Sequence, residues 1–144
     1  MKKTTFFFCV FLIPFIGFSQ SLEGEWKGYF TYNEDRPEDK IQIFIQFTKI
    51  DDTTFEGVSK TIYKFSKKKG DTAICVLRGG FYEENILLLE ETRTLRDFSN
   101  SGGCLQLMKL YYTEKQKYIE LKGDWYTEDV KCGSGQIYLT RSNK

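Results

Sequence analysis

A chain of 144 residues with 21 basic side chains, 20 acidic ones and no histidine suits one domain with one core. Its balanced charge supplies no general attraction to nucleic acid or anionic lipid. Without histidine it lacks the usual general base near neutral pH, the commonest zinc ligand and the usual haem ligand, and no Ser-His-Asp or Cys-His arrangement is possible within it.

The first segment, "MKKTTFFFCVFLIPFIGFSQ", has the form of a secretory signal. Lys2 and Lys3 make a short basic end, Phe6 to Ile16 an apolar run, and Gly17 and Ser19 place small residues where a signal peptidase cuts. The run is shorter than the about 20 apolar residues of a membrane span. Cleavage after Ser19 removes Cys9 and leaves residues 20–144 as a single domain with a formal charge of −1 in place of +1. No later segment is long and apolar enough to span a membrane, so the expected product is exported, periplasmic or extracellular.

Beyond the leader the hydrophobic period is two, the signature of strands. Leu22–Tyr32 carries Leu22, Gly24, Trp26, Gly28, Phe30 and Tyr32 on one face. Lys40–Ile50 carries Ile41, Ile43, Ile45 and Phe47. Thr54–Lys60 and Thr61–Phe65 follow, as two strands or as one bent strand. The run Lys67 to Lys69 reads as a solvated hairpin tip. Thr72–Arg78, Asn85–Leu95, Cys104–Thr113, Tyr118–Tyr126 and Gly135–Arg141 complete the series, separated by turn sequences such as "SKKKGD", "GGFYEEN" and "CGSG". About eight short strands joined by hairpins predict an all-β antiparallel, up-and-down barrel, with a sandwich as the other solution.

The two tryptophans stand in matching contexts, "LEGEW" and "LKGDW". Leu22, Gly24 and Trp26 align with Leu121, Gly123 and Trp125, so both indoles should point inward. A glycine in a strand permits a sharp bend or the close approach of another backbone. In a closed meander the first and last strands pair, which places the two Gly-x-Trp strands near each other and predicts that both indoles share one end of the interior.

Three cysteines remain after cleavage, and export favours a disulfide. Cys104 follows the loop "SNSGG" and Cys132 opens the turn "CGSG", so both lie at strand ends, where bridging geometry is accessible. Cys75 lies within the apolar run "DTAICVLRGG" and is expected to be buried and free.

"GEW" near the start and "IYLTR" at the end resemble the signature of the calycins, the lipocalin and avidin-like barrels. That resemblance implies that Gly24 and Trp26 pack beneath Arg141 and close one end of the barrel, an arginine over an indole contributing about 0.5–2 kcal/mol. Over almost the whole mature chain, "GEWKG", "FEG", "LLLEE", "CLQL", "LKGDW" and "CGSGQIYLTR" also resemble a group of small exported bacterial β-proteins of uncharacterised function. This second resemblance implies the Cys104–Cys132 bridge and no activity.

The acidic run "EENILLLEE" offers Glu83, Glu84, Glu90 and Glu91, but neighbouring residues of a strand face opposite ways and cannot act on one substrate. The reading is therefore a non-enzyme with no catalytic residue, no cofactor and no metal. One of Glu90 and Glu91 should face inward and needs a partner, for which Arg78, Arg93 and Arg96 are candidates. Trp26, Trp125, Glu90, Tyr63 and Tyr112 are the candidate ligand-binding residues, Trp26, Trp125 and Arg141 forming the closed end and Glu90 with nearby tyrosines the mouth. The expected partner is a small apolar or amphipathic ligand. The alternative is a filled barrel that binds an envelope protein as an interaction module or inhibitor.

Overall fold

A computed structural model describes residues 21–32, 40–63, 71–97 and 104–143. The segment read as a leader and the lysine run read as a hairpin tip lie outside the described residues. Eight strands follow in order: β1 (Gly24–Tyr32), β2 (Ile41–Lys49), β3 (Thr54–Tyr63), β4 (Asp71–Glu83), β5 (Ile86–Arg96), β6 (Gln106–Glu114), β7 (Tyr118–Thr127) and β8 (Ser134–Ser142), with one 3-10 turn, Val130–Cys132, before the last.

Each strand pairs antiparallel with its sequence neighbour, and β1 pairs with β8 from Lys27↔Thr140 to Tyr32↔Gly135, closing the barrel without a free sheet edge. Full closure removes the unpaired backbone that would template aggregation. The stretch Thr54–Tyr63 is one strand, and β4 runs on through Gly79 and Gly80, which pair with Leu89 and Leu88. The turn there is confined to Glu84 and Asn85.

The alternation read from the sequence sorts side chains as a barrel requires. Ile41, Ile43, Ile45 and Phe47 are buried along β2, and Ile119, Leu121 and Trp125 along β7. The β2–β3 hairpin is held by Asp51, whose carboxylate accepts the backbone N–H groups of Thr53 and Thr54 at 2.9 and 2.8 Å. Those bonds favour the ionised form and hold its pKa below the usual carboxylate range.

The interior is graded in polarity along the barrel axis. Around the start of β1 it is aromatic and apolar, with Trp26, Phe47 and Phe55 fully buried, and Phe81 edge-on to both Phe55 and Tyr112. Leu77, Leu87, Leu110, Leu121, Ile137 and Leu139 fill the middle. At the other end Ser59, Thr61, Glu91 and Gln106 are buried among aromatic rings.

Candidate functional site

The closed end is built on β1 and β8. Gly24 has a φ of 109°, a conformation that side chains rarely adopt. It turns the entering chain so that Leu22 O accepts the Trp26 indole N–H at 2.7 Å. The Arg141 guanidinium lies over the Trp26 ring, 4.9 Å from its centroid. It donates to Ser21 O at 2.8 Å and to Glu23 O. One arginine thus covers the indole and fastens the segment before β1.

Trp125 belongs to the opposite end. Gly135 of β8 stands across from both Trp125 and Tyr32, so Trp125 lies level with Tyr32, six residues beyond Trp26 on β1. At about 3.3 Å per residue this separates the two positions by about 20 Å along the strand. The expectation that both indoles close one end is therefore corrected. They share the inward face, but the stagger between strands carries β7 toward the open end. The matching glycines also act differently: Gly24 supplies a backbone conformation, whereas a Cβ at Gly123 would lie 2.0 Å from Lys109 O on β6.

A second correction concerns the acidic pair. Leu87, Leu89 and Glu91 are the inward set of β5, so Glu91 is 4% exposed, whereas Leu88 is 41% exposed and Glu90 faces out with it. Glu90 stands opposite Arg78 on the outer face. The buried carboxylate does not rely on the expected arginines, for Arg78, Arg93 and Arg96 are all exposed. Instead, the Ser59 hydroxyl donates to Glu91 Oε1 at 3.0 Å and the Gln106 backbone N–H donates to Oε2 at 3.1 Å. Burial raises the Glu91 pKa above the usual carboxylate range, and the Gln106, Ser59 and Cys75 donors offset part of that rise.

At the end opposite Arg141, open among the described residues, a cavity of ≈ 190 Å³ surrounds Glu91, lined by Tyr32, Thr61, Tyr63, Thr94, Gln106 and Trp125 among others. Trp125 is 1% exposed and donates its indole N–H to Thr31 O at 3.0 Å. Its ring meets Phe30 and Tyr32 edge-on, at 5.4 and 5.1 Å between centroids. Burial raises the phenol pKa values of Tyr32 and Tyr63, with the Tyr32 and Glu91 charges adding at Tyr63. A neighbouring cleft of ≈ 310 Å³ shares Glu91, Gln106 and the Cys104–Cys132 disulfide as lining.

The disulfide joins the segment before β6 to the turn before β8, with Cα atoms 5.9 Å apart. Cys75 is free and buried. Burial, then the Glu91 charge, pushes its thiol pKa up to about 11, so it is a poor nucleophile at neutral pH.

Of the five residues expected to bind ligand, Tyr63 and Trp125 line the open-end cavity. Trp26 and Tyr112 are buried toward the closed end, and Glu90 is on the outside. Sequence reasoning missed Ser59, Thr61, Glu91 and Gln106 as a polar group. Part of the signal was present in β3: Glu56 and Lys60 must face water, which turns Gly57, Ser59 and Thr61 inward. Such small polar residues on an inward face leave room and hydrogen-bonding capacity for something opposite.

Among the described residues, no group of three or more Cys, Asp or Glu side chains is arranged to hold a metal ion. Gln106 Oε1 is buried and has no hydrogen-bond partner.

No protein-family model matches the chain, and no curated protein does. Solved structures do resemble it. A redesigned β-barrel superposes with a TM-score of 0.61 at 13% identity, over 85% of this chain and 92% of that one. A second redesigned barrel, mFAP1 bound to DFHBI, gives 0.59 at 14% identity, over 83% of this chain and 94% of that one. A further barrel bound to DFHBI gives 0.56 at 11% identity, over 85% and 94%. At these identities the likeness is one of fold: a closed, eight-stranded antiparallel barrel.

Proposed function

We propose that this protein is an exported, non-enzymatic barrel that holds one small amphipathic molecule in its open end. The observation that carries the reading is Gln106 Oε1, an acceptor buried without a partner in the wall of a cavity that also contains Tyr32, Tyr63 and Trp125. An unsatisfied buried acceptor costs about 1–3 kcal/mol, and a ligand donor placed there would recover that loss. The rings offer apolar surface, so the site fits a molecule with one flat apolar side and one polar group. The dye-bound barrels support the reading to the extent that this topology accommodates a small molecule in at least two proteins. The disulfide supports an oxidising destination.

The interaction-module reading has weaker support. Leu88 and Tyr111 are exposed on the outer wall, but Lys109 and Lys122 stand directly opposite them in the ladder and break up the apolar surface.

The deciding experiment is the intact mass of protein purified from its native host, sprayed under native and under denaturing conditions. Added mass that survives native spraying and disappears on denaturation is expected. A bare mass in both conditions, from protein never exposed to denaturant, would refute the carrier reading.

A further inference from the structure

Among the described residues, the charged side chains that line the two spaces at this end are acidic. Glu91 and Asp97 line the inner cavity, and Glu90, Glu91, Glu128 and Asp129 line the adjoining cleft. No lysine or arginine lines either space among the described residues. Among the described residues, the hydrogen bonds to Glu91 come from neutral donors, although a buried carboxylate ordinarily takes a cationic partner. Gln106 Oε1, 92% of whose residue surface is buried, adds an acceptor with nothing to accept from. Beside these acceptors stand the rings of Tyr32, Tyr63 and Trp125, and aromatic faces attract cations.

We propose that the ligand is a small organic cation, an ammonium group on a one-ring or similarly sized apolar body. Its N–H donors reach the Glu91 carboxylate and Gln106 Oε1, and its body lies against Trp125, Tyr32 and Tyr63. The inference rests on the ligand-binding reading above and adds the charge and the size. The charge follows from two buried acceptors that share a wall and from the sign of the described lining groups. The size follows from the ≈ 190 Å³ volume, somewhat larger than the about 150 Å³ cavity that holds benzene. A carboxylate or phosphate ligand is disfavoured on the same ground, because it would add like charge to Glu91 in a medium of low polarity.

Benzylamine and benzyl alcohol are suitable probes because they match in shape and differ in charge at neutral pH. Calorimetric titration of the mature protein at pH 7 is expected to give benzylamine at least about tenfold tighter binding than benzyl alcohol, the difference expected of a charge-assisted hydrogen bond in a dry site. Glu91→Gln should abolish that preference, and Gln106→Leu should weaken benzylamine by several-fold, with circular dichroism checking that each variant is folded. Equal binding of the two probes to the wild-type protein would overturn the cation while leaving the small-ligand reading intact. Binding of neither would also overturn it, and the native-source mass would then decide separately whether any ligand is carried.

Discussion

Glu91 and Gln106 meet side chain to main chain where two strands part. β5 and β6 pair from Ile86↔Tyr111 to Glu90↔Leu107, and the next N–H of β6, that of Gln106, is taken by the Glu91 carboxylate at 3.1 Å. A buried side chain thus stands in for the missing strand partner where the described ladder stops. Glu91 thus holds the fold together at the place where the ligand is proposed to bind, and its contribution to stability depends on pH.

Burial raises the folded-state pKa of Glu91 above its unfolded value. The folded state therefore binds the proton more tightly, and stability linked to this group is complete below the unfolded pKa and falls as pH rises through the folded one. Melting temperatures of the wild type and Glu91→Gln, measured from pH 4 to 8, should diverge steadily in favour of the variant with rising pH. Parallel curves would show that Glu91 keeps its ordinary pKa. A bound cation should shrink the divergence, since it favours the ionised carboxylate.

The identity of that carboxylate was not legible in the sequence, although the barrel was. Strand period, hairpin signals and the placing of Cys104 and Cys132 at strand ends follow from local chemistry, and the structure has them. In "ILLLEE" the two alternating sets, Ile86-Leu88-Glu90 and Leu87-Leu89-Glu91, are equally apolar, so nothing local distinguishes inside from outside. The neighbouring strands decide: Leu77 and Met108 are buried opposite Glu91 and Leu89. Trp125 shows the same limit. Its inward face is local information, but its level in the barrel depends on the stagger accumulated between β1 and β7. The stretch "GGFYEEN" reads as a turn because of its glycines, yet its first five residues continue β4 because cross-strand pairing with β5 outweighs intrinsic turn preference.

At the closed end, Arg141→Ala should lower stability by about 1–3 kcal/mol, combining the loss of a cation–π contact with that of two bonds to main-chain carbonyls. Lysine cannot reproduce the paired contacts and should recover less than half of the loss. Ligand affinity should stay unchanged, because the site is at the other end. Urea denaturation, with benzylamine titrated against both variants, checks this. A loss of affinity equal to the loss of stability would mean that the two ends are coupled.

Trp125 should behave differently from Trp26. Each is fully buried, so truncation of either to alanine should lower stability by about 3–5 kcal/mol. Trp125→Phe keeps part of the ring packing and removes the pyrrole portion with its N–H bond to Thr31 O, which predicts a loss of about 1–3 kcal/mol. That variant should also weaken the ligand, because the indole lines the cavity, whereas Trp26→Phe should not. Chemical denaturation and calorimetry on the pair of phenylalanine variants separate the two tryptophans by function.

Thiol counting tests the open end from a third direction. With the leader and its Cys9 removed, as proposed, the Cys104–Cys132 bridge leaves Cys75 as the free cysteine, buried and with its pKa pushed up to about 11. A disulfide reagent at pH 8 should therefore find no reactive thiol in the folded protein and one after denaturation. Cys104→Ser should add the Cys132 thiol, giving two on denaturation. The bridge spans 28 residues, for which loop-closure entropy predicts a stability loss of about 3–4 kcal/mol in that variant. Because both cysteines line the cavity and Gln106 follows two residues after Cys104, loosening the bridge should also let the Gln106–Glu91 contact fray. Weaker benzylamine binding by Cys104→Ser, with Cys75→Ala close to the wild type, would locate the effect in the bridge; the reverse order would place the free thiol, and not the disulfide, in control of the site.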